Sequence, residues 1–249
     1  MTTRPACAIR AAGAKAVPTT DVARDGVRGA PGEMTHRAVI FDCDGTLVDS
    51  ERIGVEVLLE VGLDHGATYE LTPELVDAME EEQRGLSMAE CLRVVEKRGN
   101  FRYPSNVEPS VRARTAIAFR ERLRPIVGAV EFVRALKLPF CVASSGPRAK
   151  IELSLGLIGL LLLFEGRIFS SYEIGSWKPE PDLFLHAART LGFEPPDCAV
   201  IEDSQPGVDA AVAAGMFVYA LGPGRLVIPP GALGVRVGGY HDLQHLLHG

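Results

Sequence analysis

Asp42 and Asp44 stand one residue apart at the end of the apolar run Arg37-Ala-Val-Ile-Phe41, where two carboxylates can work on one ligand. Alternate residues of an extended chain point the same way, so both acids face one side of the following loop, and Gly45 permits a tight turn there. A second apolar run, Ala199-Val200-Ile201, ends likewise in Glu202-Asp203-Ser204. Two acidic strand ends brought together could hold a hard cation through oxygen ligands. Phe140-Cys141-Val142-Ala143 ends in Ser144-Ser145-Gly146-Pro147, where a hydroxyl and loop amides can donate to an anionic oxygen. In Trp177-Lys178-Pro179-Glu180-Pro181-Asp182, Lys178 precedes a proline-stiffened helix entry and can neutralise a phosphate or crowded carboxylates. Taken singly, each reads equally as a solvated strand cap, an ordinary turn or a surface lysine.

The elements that must position these residues form a pattern. Short β-rich runs (37–41, 140–143, 168–169, 199–201, 217–221) alternate with helical stretches such as 149–155, 182–191 and 208–214, which predicts an α/β fold with a parallel sheet covered on both faces. Ligands of such sheets bind at the carboxyl ends of the strands. Between residues 53 and 124 the texture changes. Ile53, Val57, Leu58 and Val61 recur at helical spacing, as do Leu86, Ala89, Leu92 and Val95, with Pro73, Pro104 and Pro109 near expected helix starts. This is a helical insert, leaving residues 34–52 and 125–249 for the α/β core. Residues 1–33, rich in Ala, Arg, Gly, Thr and Pro, read as disordered or as an extension, with an organelle-targeting segment as the alternative. Residues 227–249 are expected to add a last strand and helix, with His241, His245 and His248 on its solvated side rather than around a metal.

The 249 residues, 47% of them hydrophobic, suffice for one large core plus a smaller domain. Five scattered cysteines without Cys-x-x-Cys spacing suggest neither a disulfide framework nor a zinc site, and fit a cytoplasmic protein. A net charge of -6 argues against a nucleic-acid partner or an anionic membrane surface. No apolar run approaches the roughly 20 residues of a membrane helix.

Taken in order, DCDGTLVDSE, a strand followed by SSGP, WKPEPD and IEDSQPGVDAAVAAG resemble the haloacid-dehalogenase superfamily, in the branch with a helical cap inserted after the first motif. The resemblance covers nearly all of residues 37–221. It implies a Rossmann-like three-layer core, Mg²⁺, and phosphoryl transfer through an aspartyl phosphate. Carried over by position, Asp42 is the nucleophile and Asp44 the general acid and base. Asp42, the backbone carbonyl of Asp44, and Asp203 are expected to ligate Mg²⁺, with Glu202 supporting them from behind. Ser144 and the amide of Ser145 would hold phosphoryl oxygens, and Lys178 would offset their charge.

Specificity then falls to the cap, hinged at about Glu51 to Gly54 and near Leu123 to Gly128, with Arg84 and Gly85 as candidates for meeting the substrate. Tyr172, Trp177 and Phe184 are read as core packing. Dehalogenases of this superfamily lack a second aspartate at the position of Asp44, which leaves phosphate chemistry. The mutase branch, similar to β-phosphoglucomutase, presents a histidine early in the first cap helix and a basic residue after the cap-loop serine; Gly54 and Met88 stand there. The expected function is hydrolysis of a small phosphorylated metabolite, a sugar phosphate such as 6-phosphogluconate, by a monomer or weak homodimer. The alternatives are a β-phosphoglucomutase-like isomerase and a non-catalytic binding protein on the same scaffold.

Overall fold

The computed structural model describes residues 36–222 and 226–247; the expectation for residues 1–33, and His248, lie outside them. In chain order the elements are β1 (Ala38–Phe41), α1 (Glu51–Asp64), α2 (Pro73–Gln83), α3 (Met88–Gly99), α4 (Glu108–Arg122), α5 (Ala129–Ala135), β2 (Phe140–Ser144), α6 (Arg148–Leu157), β3 (Ile168–Ser170), α7 (Ser171–Ile174), α8 (Asp182–Leu191), β4 (Cys198–Glu202), α9 (Gln205–Ala213), β5 (Phe217–Leu221), β6 (Gly234–Val237) and α10 (Tyr240–Leu247). The strands form one six-stranded sheet in the order β3-β2-β1-β4-β5-β6. Every pairing is parallel.

Alternation along β1 divides the core into two layers of side chains. Val39 and Phe41 enter a cluster with Phe132 of α5, Ile151 and Leu155 of α6 and Leu243 of α10. Ala38 and Ile40 enter another, with Leu183, Phe184 and Ala187 of α8 and Val208 and Ala211 of α9. Helices therefore cover both faces, giving the α/β/α sandwich that a fully buried parallel sheet requires. Because β1 lies between β2 and β4, the chain's crossovers diverge on either side of it. The crevice beyond Phe41 is the switch point where open α/β sheets bind ligands.

Helices α1 to α4 pack on one another between β1 and α5, burying Val57, Met79, Val95 and Val111. Their starts are locally encoded. Thr72 accepts a bond from the Leu75 amide ahead of Pro73, and Ser87 with Glu90 forms a capping box at α3. Pro109 lies in the first turn of α4, whereas Pro104 falls in the loop before it. The hinge expected at Glu51 to Gly54 is corrected, since those residues are the first turn of the continuous helix α1. Passage between core and cap is made at Asp49 and Ser50, beside the returning chain. There the Asp49 amide donates to Arg124 O at 2.9 Å and the Ile126 amide to Leu47 O at 3.0 Å. Among the described residues no helix is long and apolar enough to cross a membrane. His241, in α10, is exposed.

Candidate active site

Four strand ends and the loops leaving them build the site. The register sets Phe41 beside Val142 and Ile201, so that Asp42 emerges between Ser144 at the end of β2 and Glu202-Asp203 at the end of β4. After Asp42 the chain turns back at once. The Leu47 and Val48 amides both donate to Cys43 O, and Gly45 takes a φ of +78°. A side chain at Gly45 is excluded twice over, since its Cβ would lie 2.0 Å from Asp203 Oδ2. Thr46, in the same turn, donates to Asp203 Oδ1 at 2.9 Å. The opening motif thus shapes the cradle of a carboxylate 157 residues away in sequence.

Lys178 lies at the centre of the charges. Its ammonium bonds Asp42 Oδ1 and, at 2.6 Å, Glu202 Oε2, with all three side chains buried. The other oxygen of Glu202 accepts from the Ser204 amide at 3.0 Å and its hydroxyl at 2.6 Å. Burial raises the proton affinity of Asp42, and the adjacent Glu202 carboxylate adds to this against the pull of Lys178. Lys178 itself is pushed up: burial opposes its charge, but Asp42 and Glu202 outweigh that cost.

Asp44 has a separate set of partners. Ser50 donates to its Oδ1 at 2.5 Å, and Lys150 Nζ lies 2.8 Å from the same oxygen. Ser50 occupies the N-cap of α1 without capping it, its hydroxyl being turned instead to Asp44. Burial works to raise the Asp44 pKa, but Lys150, the Ser50 hydroxyl and Lys178 together hold it below its ordinary value. The two aspartates therefore sit in different electrostatic surroundings, as two distinct roles require.

The acids fit a hard divalent cation. Oxygens of Asp42, Glu202 and Asp203 lie within 4.8 Å of one another. Asp203 Oδ2 is buried without a hydrogen-bond partner, and burial together with Glu202 and Asp42 drives the Asp203 pKa well up. Compact, crowded carboxylate oxygen is what Mg²⁺ takes as ligand. The Asp44 side chain stands outside this cluster, so any contribution from that residue falls to its main-chain carbonyl.

A cavity of about 710 Å³ opens over these strand ends and is walled on its far side by α1, α3 and α4. Its size is that of a small-molecule site. Ser144 is buried, its Oγ accepting from the Gly146 amide at 3.0 Å, and Ser145 lines the cavity beside it. Arg84 and Gly85 line it too, but the Arg84 guanidinium is 2.6 Å from Glu51 and 3.7 Å from Asp203 Oδ2. At Gly85, φ is +75° and a Cβ would come 2.9 Å from the Pro206 ring, so the cap loop lies directly against the core.

The reading of Tyr172 and Trp177 as core packing is corrected. They are 43% and 38% exposed and form an edge-to-face pair on the cavity wall. Arg112 of α4 stacks over the Tyr172 ring at 5.1 Å and donates to its hydroxyl at 3.0 Å. Phe184 alone is buried, beneath Lys178, whose Nζ is 4.9 Å from the ring centre.

Ser50, Lys150 and Arg112 were not singled out by the sequence reading. Lys150 carries a visible signal, since a cation in the first turn of a helix opposes the helix dipole. Arg112 has none, because an arginine four residues after Glu108 reads as an ordinary helical ion pair.

The haloacid dehalogenase-like hydrolase family matches residues 36–215. The chain belongs to that family. It is 36% identical over 183 residues to 6-phosphogluconate phosphatase of Escherichia coli, which spans 73% of this chain and 80% of that protein. Among solved structures, a haloacid dehalogenase family hydrolase of Deinococcus radiodurans with bound phosphate and sodium superposes at a TM-score of 0.67. It is 29% identical and covers 86% of this chain and 96% of its own. A putative β-phosphoglucomutase of Thermotoga maritima gives 0.66 at 26% identity, covering 84% and 98%. Family membership gives the order of strand-end motifs a common origin, and the two structures match this chain over most of its length.

Proposed function

We propose that this haloacid dehalogenase-like hydrolase is a Mg²⁺-dependent phosphomonoesterase that acts on a small sugar phosphate, 6-phosphogluconate among the candidates, through an aspartyl phosphate on Asp42. The observation that carries the reading is the single crevice holding Asp42 against Lys178, a three-carboxylate cluster and a separately supported Asp44. Asp42, Asp203 and the main-chain carbonyl of Asp44 would hold the ion, with Glu202 behind them. When bound, it would neutralise charge on the phosphoryl group.

The protein's own groups account for the remaining steps. Lys178 offsets the repulsion between the arriving phosphate and Asp42, a cost of several kcal/mol in a low-dielectric cleft. The Ser144 hydroxyl and the amides after it hold phosphoryl oxygens. An oxygen of Asp42 forms a bond to phosphorus as the ester oxygen departs and takes a proton from Asp44. A phosphate next to Asp44 raises that residue's proton affinity, which readies it as donor. In the second half, Asp44 as carboxylate accepts a proton from water. The water oxygen bonds to phosphorus, the link to Asp42 breaks, and inorganic phosphate leaves.

Gly54 and Met88 bear on what accepts the phosphoryl group. Both line the cavity, and nothing stands within 4 Å of where a Gly54 side chain would begin. The cap therefore offers open space where the mutase branch presents its histidine, which favours water as acceptor.

The test is a panel of phosphorylated metabolites with p-nitrophenyl phosphate, assayed for phosphate release with Mg²⁺ and with chelator. Metal-dependent release from sugar phosphates is expected. Interconversion of β-glucose 1-phosphate and glucose 6-phosphate without net release would replace this reading with the mutase one.

A further inference from the structure

Five cationic side chains line the cavity: Arg84, Arg93, Arg112, Lys150 and Lys178. Four are neutralised by the protein's own acids. Lys178 bonds Asp42 and Glu202, Lys150 pairs with Asp44, Arg84 with Glu51 and Arg112 with Glu108. Arg93, on α3, has no carboxylate oxygen within 4.0 Å among the described residues.

Its two natural partners are turned elsewhere. Glu90, one turn earlier, accepts from the Ser87 amide at 2.9 Å and hydroxyl at 2.6 Å. Glu96, one turn later, pairs with Arg102 at 2.7 Å and accepts from the Tyr103 amide at 2.9 Å. The cap thus keeps on the cavity wall one guanidinium without a direct ion pair, on which Glu90 and Glu96 act only at longer range. Leu86, Met88 and Cys91 add apolar surface to the same cavity.

We infer that Arg93 receives a second anionic group of the substrate, a carboxylate or phosphate at the end away from the ester being cleaved. This rests on the phosphatase reading of the same cavity and narrows it to sugar phosphates that are anionic at both ends. The strand-end cations are committed to Asp42, Glu202 and Asp44, so they add little net attraction for a distant anion. A guanidinium can grip a carboxylate or phosphate through paired N–H donors.

Three esters separate the possibilities: 6-phosphogluconate carries a carboxylate, fructose 1,6-bisphosphate a second phosphate, and glucose 6-phosphate neither. Their kcat/KM values are compared in the wild type, Arg93→Leu and Arg93→Lys, and their equilibrium binding in Asp42→Asn with and without Arg93→Leu. The wild type should favour at least one of the doubly anionic esters over glucose 6-phosphate, the favoured one identifying the second group. Arg93→Leu should shrink that preference about 10- to 100-fold, mainly through KM, the range expected for a hydrogen-bonded charge pair. Arg93→Lys should keep part of it. A preference that survives Arg93→Leu, or its absence from the wild type, overturns the inference. Failure of the phosphatase reading is a different result, no phosphate release from any ester, and the binding ratios still decide the role of Arg93.

Discussion

Lys150 stands in the first turn of α6, where the exposed amides make a cation unwelcome, yet its ammonium lies 2.8 Å from Asp44. That contact makes it the main agent lowering the Asp44 pKa. The acidic limb of kcat, set by Asp44 as the carboxylate that accepts a proton from water in the second half, should therefore sit at a higher pH in Lys150→Met than in the wild type. A loss of about 10- to 100-fold in kcat should accompany the shift, in the range of acid–base assistance. A pH–rate profile from pH 4 to 9 measures both, and an unmoved acidic limb would remove Lys150 from this role. That Asp42, Asp44, Ser144, Glu202 and Asp203 would gather was legible because each closes or follows a β-rich run, and Lys178 stood out by the proline-stiffened helix entry after it. Ser50 was not legible, since a serine at a helix start reads as a cap, and Lys150 was passed over although a cation in the first turn of a helix is a signal that could have found it.

Between α4 of the cap and α7 of the core, Arg112 and Tyr172 form a contact of two parts, a hydrogen bond of 3.0 Å and a cation over an aromatic ring at 5.1 Å. Tyr172→Phe removes the first part and keeps the second. Tyr172→Ala removes both. Kinetics on one sugar phosphate should show kcat/KM falling about fivefold in the first and roughly 30-fold in the second, since the parts are worth about 1 kcal/mol each. Equal losses would mean that the hydrogen bond alone matters. This contact lay beyond sequence reasoning because Tyr172 and Trp177 have the spacing of buried aromatics, and only the fold shows that a four-residue helix ends the sheet there and leaves them at the rim. The hinge was misplaced for a related reason. Glu51, Arg52 and Gly54 are polar or small, as linker residues are, but Ile53 and Val57, one turn apart, are buried from the first turn of α1.

For the whole molecule, the cluster of Asp42, Glu202 and Asp203 is a concentration of like charge held by one lysine. A divalent cation bound there stabilises only the folded chain. Mg²⁺ at about a hundred times its Kd should add about 2.7 kcal/mol, read as several degrees in Tm. Asp203→Asn should lose most of that rise. An equal Mg²⁺-induced rise in both proteins would place the ion elsewhere. Alternation of strands with helices made the α/β architecture and the helical insert readable in advance, because parallel sheets leave near-continuous apolar runs. How the insert closes over the sheet was not readable, since it depends on close approaches such as Gly85 against Pro206.

Phosphate release from p-nitrophenyl phosphate and 6-phosphogluconate in the presence of Mg²⁺, compared between the wild type and Asp42→Asn, tests the central claim most directly. The wild type should turn over at least one of the two esters. Asp42→Asn should lose at least about a thousandfold in kcat while its circular dichroism stays that of the wild type, as expected when the nucleophile is removed. Turnover by Asp42→Asn near that of the wild type would contradict the account.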